Sequence, residues 1–301
     1  MRMRPLFPVV LAFLVAALAP SALAASPPAA AKLLASSAAA LEKKDGLHLE
    51  AELHALAKSD GSLTEAQVKK LVPPTDVTLK GDLSQQTIVI AGKLSASGQA
   101  LAAELRLSGT ELYVNFGGAW YGVKDTKAKG SGITIDTSAK QLTGALADLL
   151  RSGLEVKVSD GPKVDGVSTW SLTGSFDPKA LAKLSKSSGL STGSSVDVTQ
   201  LAGKTAVTVL IGRDDVLPRR IEIVSTLTPK DIAAAKTSTG GLLPLPAAGT
   251  KGLKSESITV TVDLSKFGEK VAFDRPSSFK TLDKLFESLL GTATKTTKTT
   301  K

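Results

Sequence analysis

Cysteine is absent from the 301 residues of the sequence. The fold can therefore contain no disulfide, and it offers neither a thiolate metal ligand nor a cysteine nucleophile. A lipid anchor of the kind that bacterial exported proteins carry needs a cysteine just after the signal, so we expect none here. Burial of apolar surface must then stabilise the folded state, and a chain of this length has room for a sizeable core in one or two domains.

Histidine is almost as scarce, since the chain contains only His48 and His54. Both stand on one predicted strand, where alternation puts them on the solvated face. A serine nucleophile needs a neighbouring base, usually histidine, and a zinc site needs more ligands than two separated imidazoles. We therefore expect no catalytic residue, no metal, no cofactor and no enzymatic activity. Only a buried titratable pair would favour the alternative of a hydrolase.

Phosphate-binding and paired-carboxylate motifs are also missing or weak. No glycine-rich loop follows a strand and opens a helix, which excludes a dinucleotide or phosphate fingerprint. Asp214 and Asp215 are adjacent, but they follow Gly212-Arg213 between two alternating segments. Aspartate is favoured in tight turns, so the pair predicts a hairpin turn and not a catalytic site.

A long hydrophobic run occurs only at the N-terminus. Basic residues at Arg2 and Arg4 precede an apolar run over 6–19 and the ending Ala22-Leu23-Ala24. This order is typical of a cleavable secretory signal, and the run is shorter than the ~20 residues that a membrane span needs. We expect a signal peptide over 1–24, export to the periplasm, the cell wall or the medium, and no transmembrane helix.

Basic residues outnumber acidic ones, and the formal net charge is +9. Lysine is concentrated towards the C-terminus, at Lys280, Lys284, Lys295, Lys298 and Lys301. Such a surface favours an anionic envelope polymer or lipid head group as a contact. Nucleic acid is not expected, because only 4% of the residues are aromatic and no stacking platform or basic helix accompanies the charge. The Lys/Thr tail at 292–301 is expected to be disordered.

Alternation with a period of two dominates the rest of the chain and predicts strands. Short turns such as Gly117-Gly118 favour antiparallel pairing. The predicted strands lie at 47–55, 77–83, 88–94, 101–107, 112–116, 119–123, 154–158, 167–174, 207–211, 221–223 and 258–264. A sheet of about a dozen strands usually curls. We expect one α+β domain over 25–291, built on a strongly curved antiparallel sheet with one dry face.

Helical periodicity appears in five short stretches. The predicted helices lie at 30–44, 64–72, 138–152, from Asp177-Pro178 onward, and 281–290. Each is amphipathic, so we expect them to pack on the concave face of the sheet or to cap its ends.

The predicted interior is lined by medium-sized aliphatic side chains with few aromatics. A wide sheet lined in this way can leave space for acyl chains, whose burial contributes about 0.8 kcal/mol per methylene. An ordinary packed core is the alternative. The predicted lipid-binding residues are Ile88, Ile90, Leu105, Leu107, Val114, Phe116, Trp120, Leu146, Leu149, Leu150, Val207, Val209, Ile221, Ile223, Ile258, Val260 and Val262.

Three blocks carry a resemblance to a known family. They are 111–121, which contains Glu-Leu-Tyr-Val and Trp-Tyr; 164–184, which contains Val-Asp-Gly-Val; and 207–276, which contains Leu-Pro-Arg-Arg-Ile and ends at Pro276. In this order and spacing the chain resembles the LppX/LprG-type lipoproteins of the actinobacterial envelope, which are similar in fold to the lipoprotein carrier LolA.

The resemblance implies a half-barrel sheet with helices on its concave side around an apolar cavity. It also implies binding of acylated lipids or glycolipids and their movement across the envelope, with transient membrane contact. The chain departs from the family because it lacks the lipidated cysteine. The alternative is a non-enzymatic structural or adaptor module of the envelope, with a packed core and a basic tail that holds an anionic partner.

Overall fold

The structure is a computed structural model. It describes residues 28–84, 86–96, 99–124, 150, 154–176, 205–229 and 252–285. The predicted signal peptide, the helix that follows Asp177, Leu146 and Leu149 of the predicted 138–152 helix, and the Lys/Thr tail lie outside the described residues.

Twelve strands form one sheet. Their bounds are β1 Gly46–Ser59, β2 Thr75–Ser84, β3 Thr87–Ala96, β4 Gln99–Ser108, β5 Glu111–Phe116, β6 Ala119–Val123, β7 Leu154–Asp160, β8 Thr169–Phe176, β9 Thr205–Gly212, β10 Pro218–Leu227, β11 Leu253–Ser265 and β12 Lys280–Thr281. Each predicted strand is present, most of them extended by one to four residues.

The sheet is open, with strand order β12-β6-β5-β4-β3-β2-β1-β11-β10-β9-β8-β7. Neighbouring strands are antiparallel except β12, which pairs parallel with β6. The central pair joins β1 to β11, with Leu53 opposite Val260. The predicted large antiparallel sheet with few helices is confirmed.

Two helices are fully described, α1 Pro28–Glu42 and α2 Glu65–Leu71. The second begins at Thr64, whose hydroxyl accepts from the Gln67 backbone N–H while the Gln67 side chain accepts from the Thr64 backbone N–H. This capping box satisfies two backbone donors that the first turn leaves unpaired. Both helices confirm the predictions at 30–44 and 64–72.

Along strands β1 to β11, alternate side chains point to an apolar face and to a polar face. On β1, Leu49, Ala51 and Leu53 point to the apolar face and are buried. The register continues this face across the sheet, since Ala51 lies opposite Val262 on one side and Leu79 on the other. A slip of one residue would exchange the two faces, so the alternation fixes the register.

Helix α1 packs on the apolar face. Ala30, Leu34, Ala38 and Leu41, spaced by three or four residues, are at most 2% exposed and belong to the same cluster as the strand side chains. Such spacing places them on one side of the helix. Burial of each leucine contributes about 2 kcal/mol. We call this set, with the apolar side chains of the sheet, the main apolar cluster.

Helix α2 forms a smaller apolar cluster where the central strand β1 ends and its neighbour β11 begins. Val68 and Val72 pack with Leu253 at the start of β11 and with Ala57 near the end of β1. This α2 cluster lies where β1 and β11 shift register between Lys58 and Ser59.

Residues 266–279, which we call the cross-face segment, link the end of β11 to β12 over the polar face. The Gly268 backbone N–H donates to Gly46 O at 2.7 Å. Further along, the rings of Phe273 and Phe279 contact Tyr113 with centroid distances of 6.2 and 5.0 Å. Tyr113 is only 1% exposed although it lies on the polar face. The sequence analysis did not predict this segment or β12.

Gly122 permits the packing of Tyr113. A Cβ atom built on Gly122 would lie 2.4 Å from Cδ1 of the Tyr113 ring. The two residues are direct partners across β5 and β6. Any larger residue at position 122 would therefore displace the ring.

Candidate functional site

The apolar face brings most of the predicted lipid-binding residues together. Strand pairing places them on the same face of β3, β4, β5, β9, β10 and β11. They are Ile88, Ile90, Leu105, Leu107, Val114, Phe116, Val207, Val209, Ile221, Ile223, Ile258, Val260 and Val262. Leu150 is fully buried in the same cluster, whereas Leu146 and Leu149 lie outside the described residues.

Trp120 lies on the polar face, contrary to its place among the predicted residues. It pairs with Asn115, and the guanidinium of Arg106 stacks on its ring at 4.6 Å. Its neighbour Tyr121 faces the main apolar cluster instead and is 6% exposed. Two adjacent aromatic residues satisfy an alternating pattern in either phase, so the pattern alone does not determine which of them faces the apolar cluster.

On strands β7 to β10, most of the apolar face is tightly covered. We call the apolar-face side chains Leu154, Val156, Leu172, Val207, Val209, Ile211 and Ile221 the β7–β10 wing. They are at most 5% exposed, and four of them are 0% exposed, whereas Val158 on the same face is 37% exposed and Trp170 and Ile223 are partly exposed. Helix α1 contacts β7 at this end.

The other end is partly open to solvent. We call the apolar-face side chains Leu101, Ala103, Leu105, Val114, Phe116, Ala119 and Val123 the β4–β6 wing. All seven are partly exposed, whereas Leu107, Leu112 and Tyr121 on the same face of these strands are buried. Six of them pack against the main apolar cluster, and Ala103 lies between Gly92 and Phe116 on the same face. A contiguous, incompletely covered apolar surface of this kind marks a binding site more often than single exposed side chains do.

Buried polar side chains lie on the apolar face near α2, where β11 begins. Glu256 is 2% exposed and lies between Leu227 of β10 and Ala57 of β1. Oε2 of Glu256 has no hydrogen-bond partner. Burial raises the pKa of this carboxyl from its usual value of 4.5 to about 7, because a low-dielectric surrounding disfavours the charged form.

Two buried hydroxyls lie beside Glu256 on the same face. Thr205 Oγ1 donates to Ser225 Oγ at 3.3 Å, and Ser225 lies opposite Ile258, two residues from Glu256 on β11. The sequence analysis missed this group. Its signal was available, since Glu256 occupies the in-phase position of the series that continues through Ile258, Val260 and Val262.

Both histidines lie on the polar face, as predicted. Nδ1 of His48 lies 2.6 Å from Oδ1 of Asp82, and Nδ1 of His54 lies 2.6 Å from Oδ1 of Asp76. Lys80 completes this polar row through Oε2 of Glu50, at 2.8 Å. Within the described residues, no group of three His, Cys, Asp or Glu side chains has a metal-binding arrangement.

Asp214 and Asp215 occupy the predicted hairpin turn between β9 and β10. Oδ1 of Asp215 accepts from the backbone N–H of Leu217 at 3.1 Å, and Asp215 also pairs with Arg219. These bonds stabilise the turn, in which Val216 adopts a φ of 51°.

No family model matches the sequence, and no curated protein matches it. Among solved structures, the chain is similar to LprF from Mycobacterium bovis, with 12% identity and a TM-score of 0.48 over 85% of this chain and 100% of that one. It is similar to the lipoprotein LppX from Mycobacterium tuberculosis, with 15% identity and a TM-score of 0.44 over 83% and 100%. A DUF1329 family protein from Desulfovibrio piger matches at 10% identity and a TM-score of 0.28, over 83% and 96%.

The resemblance predicted from the sequence is confirmed, because LprF and LppX are among the structures to which the chain is similar. All three TM-scores lie below 0.5. Evidence for a function therefore has to come from the apolar face itself.

In the described part of the chain, no helix has both the length and the apolar character that a membrane crossing needs. Helices α1 and α2 and the helical residues 282–285 place apolar side chains against the sheet.

Proposed function

We propose that the protein is an exported lipid-binding protein that holds acyl chains against the apolar face of its sheet and carries them across the cell envelope. Its ligand is an acylated lipid or glycolipid. The function is binding and release, without a chemical step on the ligand.

The β4–β6 wing is the observation that carries this proposal. Seven apolar side chains on three neighbouring strands remain partly exposed, beside the buried Leu107, Leu112 and Tyr121 of the same face. Leu105 and Val114, at the centre of the wing, are direct partners across β4 and β5. An acyl chain that covered this wing would complete the burial that α1 provides at the other end.

The energy of such burial is adequate only for a long chain. At about 0.8 kcal/mol per methylene, some fifteen methylenes contribute on the order of 12 kcal/mol. Association costs about 4–15 kcal/mol in lost freedom. Stable binding therefore requires that most of the chain is covered, which favours a site bounded on more than one side.

A curled sheet supplies such a boundary. An open sheet of more than about ten strands seldom stays flat, and this one has twelve. We propose a half-barrel whose concave side is the apolar face, with α1 and the helical residues 282–285 on that side. Leu282 and Leu285 belong to the main apolar cluster, which supports this arrangement.

The predicted signal over 1–24 supports action outside the cytoplasm, and the absence of cysteine supports a carrier that is not lipid-anchored. Loading and unloading then require transient contact with a membrane. The excess of basic residues favours contact with anionic head groups.

A pair of adjacent alanines provides a sharp test. Ala103 lies in the β4–β6 wing, and Ala102 is exposed on the polar face, opposite Lys93. Ala103→Asp places a carboxylate in the proposed acyl site and should abolish binding of a fluorescent fatty acid, measured by titration. Ala102→Asp introduces the same charge on the same strand and should bind like the wild type.

Circular dichroism and thermal unfolding establish whether both variants fold. Lipid extracted from the purified wild-type protein, identified by mass spectrometry, gives an independent measure. Equal binding by the two folded variants, or a wild-type protein that neither retains nor binds any acylated lipid, would contradict the proposed function.

A further inference from the structure

The buried carboxyl of Glu256 would have no role if the protein bound only a hydrocarbon chain. It is 2% exposed, and its Oε2 atom has no hydrogen-bond partner. Buried side-chain oxygens in folded proteins almost always have a partner, so an unpaired one calls for an explanation. A leucine at this position would continue the apolar series of β11 without that cost.

Within the described residues, the two strand partners that flank Glu256 are apolar. Leu227 belongs to the main apolar cluster and Ala57 to the α2 cluster, so the carboxyl lies where the two meet. Lys58 points to the opposite face by alternation, and Lys254 is exposed. On α2, Glu65 and Lys69 pair with each other at an exposed position, and Lys70 is exposed.

No charge from the described residues therefore compensates Glu256. Burial is the sole cause that raises its pKa to about 7. Below that pH the group is a neutral carboxylic acid, which has one O–H donor and one carbonyl acceptor.

A second polar group is within reach of the carboxyl. Ser225 is the diagonal neighbour of Glu256 across β10 and β11, since Ser225 pairs with Ile258 and Glu256 with Leu227. Diagonal positions lie about 7–8 Å apart, a distance that a long side chain can span. Ser225 is 6% exposed and already accepts a hydrogen bond from Thr205.

We propose that Glu256, with Ser225 beside it, binds the carbonyl oxygen of the ligand's acyl group at this end of the apolar face. This inference rests on the proposed function and specifies how the bound acyl chain is oriented. The protonated carboxyl donates to the acyl carbonyl oxygen, and the hydrocarbon extends over the apolar face.

The geometry of the sheet fits this orientation. Strand β4 is the fourth strand from β11 in the order β11-β1-β2-β3-β4, about 19 Å away along the sheet. An acyl chain of this length can therefore reach from Glu256 to the β4–β6 wing. Between the two lie Ile258, Ala55, Val77 and Leu94, which are on the apolar face and 5–7% exposed.

The chemistry admits two sources of the carbonyl, a free fatty acid and an acyl ester. Three fluorescent probes separate them: cis-parinaric acid, its methyl ester, and diphenylhexatriene, which is a hydrocarbon without oxygen. Each is titrated into the purified protein, into Glu256→Leu and into Glu256→Gln. Glu222→Gln is the matched control, because Glu222 lies on the polar face of β10 opposite Thr261.

Glu256→Leu should lose about tenfold in affinity for the probe whose carbonyl the site binds, as expected for one lost hydrogen bond. It should bind diphenylhexatriene as the wild type does. Glu256→Gln retains a donor and should stay within about threefold of the wild type, and Glu222→Gln should be unchanged.

The methyl ester carries no titrating group, so its pH dependence reports on the protein. In the wild type its affinity should fall between pH 6 and pH 8 as Glu256 loses its proton, and in Glu256→Gln it should not. If Glu256→Leu fails to fold, this comparison decides the matter alone.

Unchanged affinity of a folded Glu256→Leu for both acyl probes would overturn the inference and leave the proposed function standing. An identical pH profile in wild type and Glu256→Gln would overturn it as well. If the wild-type protein binds none of the three probes, the proposed function fails and the inference with it.

Discussion

The two wings of the apolar face have the same alternating pattern but different exposure. In the β7–β10 wing, Leu172, Val207 and Val209 are 0% exposed, and α1 contacts the adjacent strand β7. On the apolar face of β4, β5 and β6, seven of ten apolar side chains, Leu105 and Val114 among them, remain partly exposed. Alternation therefore determines which face is apolar but not how completely that face is covered. We infer that the first wing stabilises the fold and that the second is available to a ligand.

Matched leucine truncations provide the strongest test of this division. Leu172→Ala should reduce the free energy of unfolding by about 3–4 kcal/mol, because a fully buried leucine leaves a cavity. Leu105→Ala should cost about 1 kcal/mol, since part of its surface already contacts water, but should weaken acyl binding. Chemical denaturation and probe titration measure the two effects, and equal stability losses would refute the division.

The free energy of unfolding should also depend on pH, because the Glu256 carboxyl is buried near α2. Burial raises the pKa of Glu256 from 4.5 to about 7, so between these values the folded state keeps a proton that the unfolded state has lost. The free energy of unfolding should therefore fall as pH rises through this window, by about 3 kcal/mol in total. Below pH 4.5 this contribution is fully present.

The change should disappear in Glu256→Gln, whereas the matched Glu222→Gln should retain it. Denaturation curves at pH 4.5, 6 and 8 measure the difference between the two variants. Parallel curves for Glu256→Gln and the wild type would show that the carboxyl is not buried in its neutral form.

The cross-face segment packs on the polar face of the sheet, on the side opposite the β4–β6 wing. Phe273 contacts Tyr113, and Arg275 pairs with Glu111 through two bonds of 2.7 Å. Phe273→Ala should remove part of this packing, at a cost of about 1–2 kcal/mol. Amide hydrogen exchange should then accelerate in β5 and β6 but not in β9 and β10, and uniform acceleration would contradict a local role.

Trp120 provides the smallest expected effect. Because its ring lies under Arg106 on the polar face, Trp120→Ala should leave acyl binding within about twofold of the wild type. The stacking contributes about 0.5–1 kcal/mol at such a partly exposed site. A large loss of binding in a folded Trp120→Ala protein would mean that the ligand occupies the polar face.

Most elements of the fold could be predicted because each is encoded locally. The alternation of Ile258, Val260 and Val262, and the helical spacing of Leu34, Ala38 and Leu41, require no knowledge of distant residues. Strand partners are different, since the pairing of β1 with β11 depends on tertiary contacts that periodicity does not specify.

The remaining errors have equally local causes. The cross-face segment has neither the two-residue period of a strand nor the 3.6-residue period of a helix, so no pattern predicted its course over Tyr113. Trp120 and Tyr121 are adjacent aromatics whose phase only the observed register resolves. Glu256 was overlooked because a charged residue in a strand is ordinarily assigned to the wet face, although its phase placed it on the dry one.

The pairing of β1 with β11 also has a consequence for the order of folding. These central strands are separated by roughly 200 residues, and contacts of such range form late because a large loop must first close. Strands β2 to β6, which pair in sequence order, can assemble by successive hairpins as the chain emerges. The sheet therefore cannot be completed until β11 has been synthesised, by which time ten of the other eleven strands have already been made.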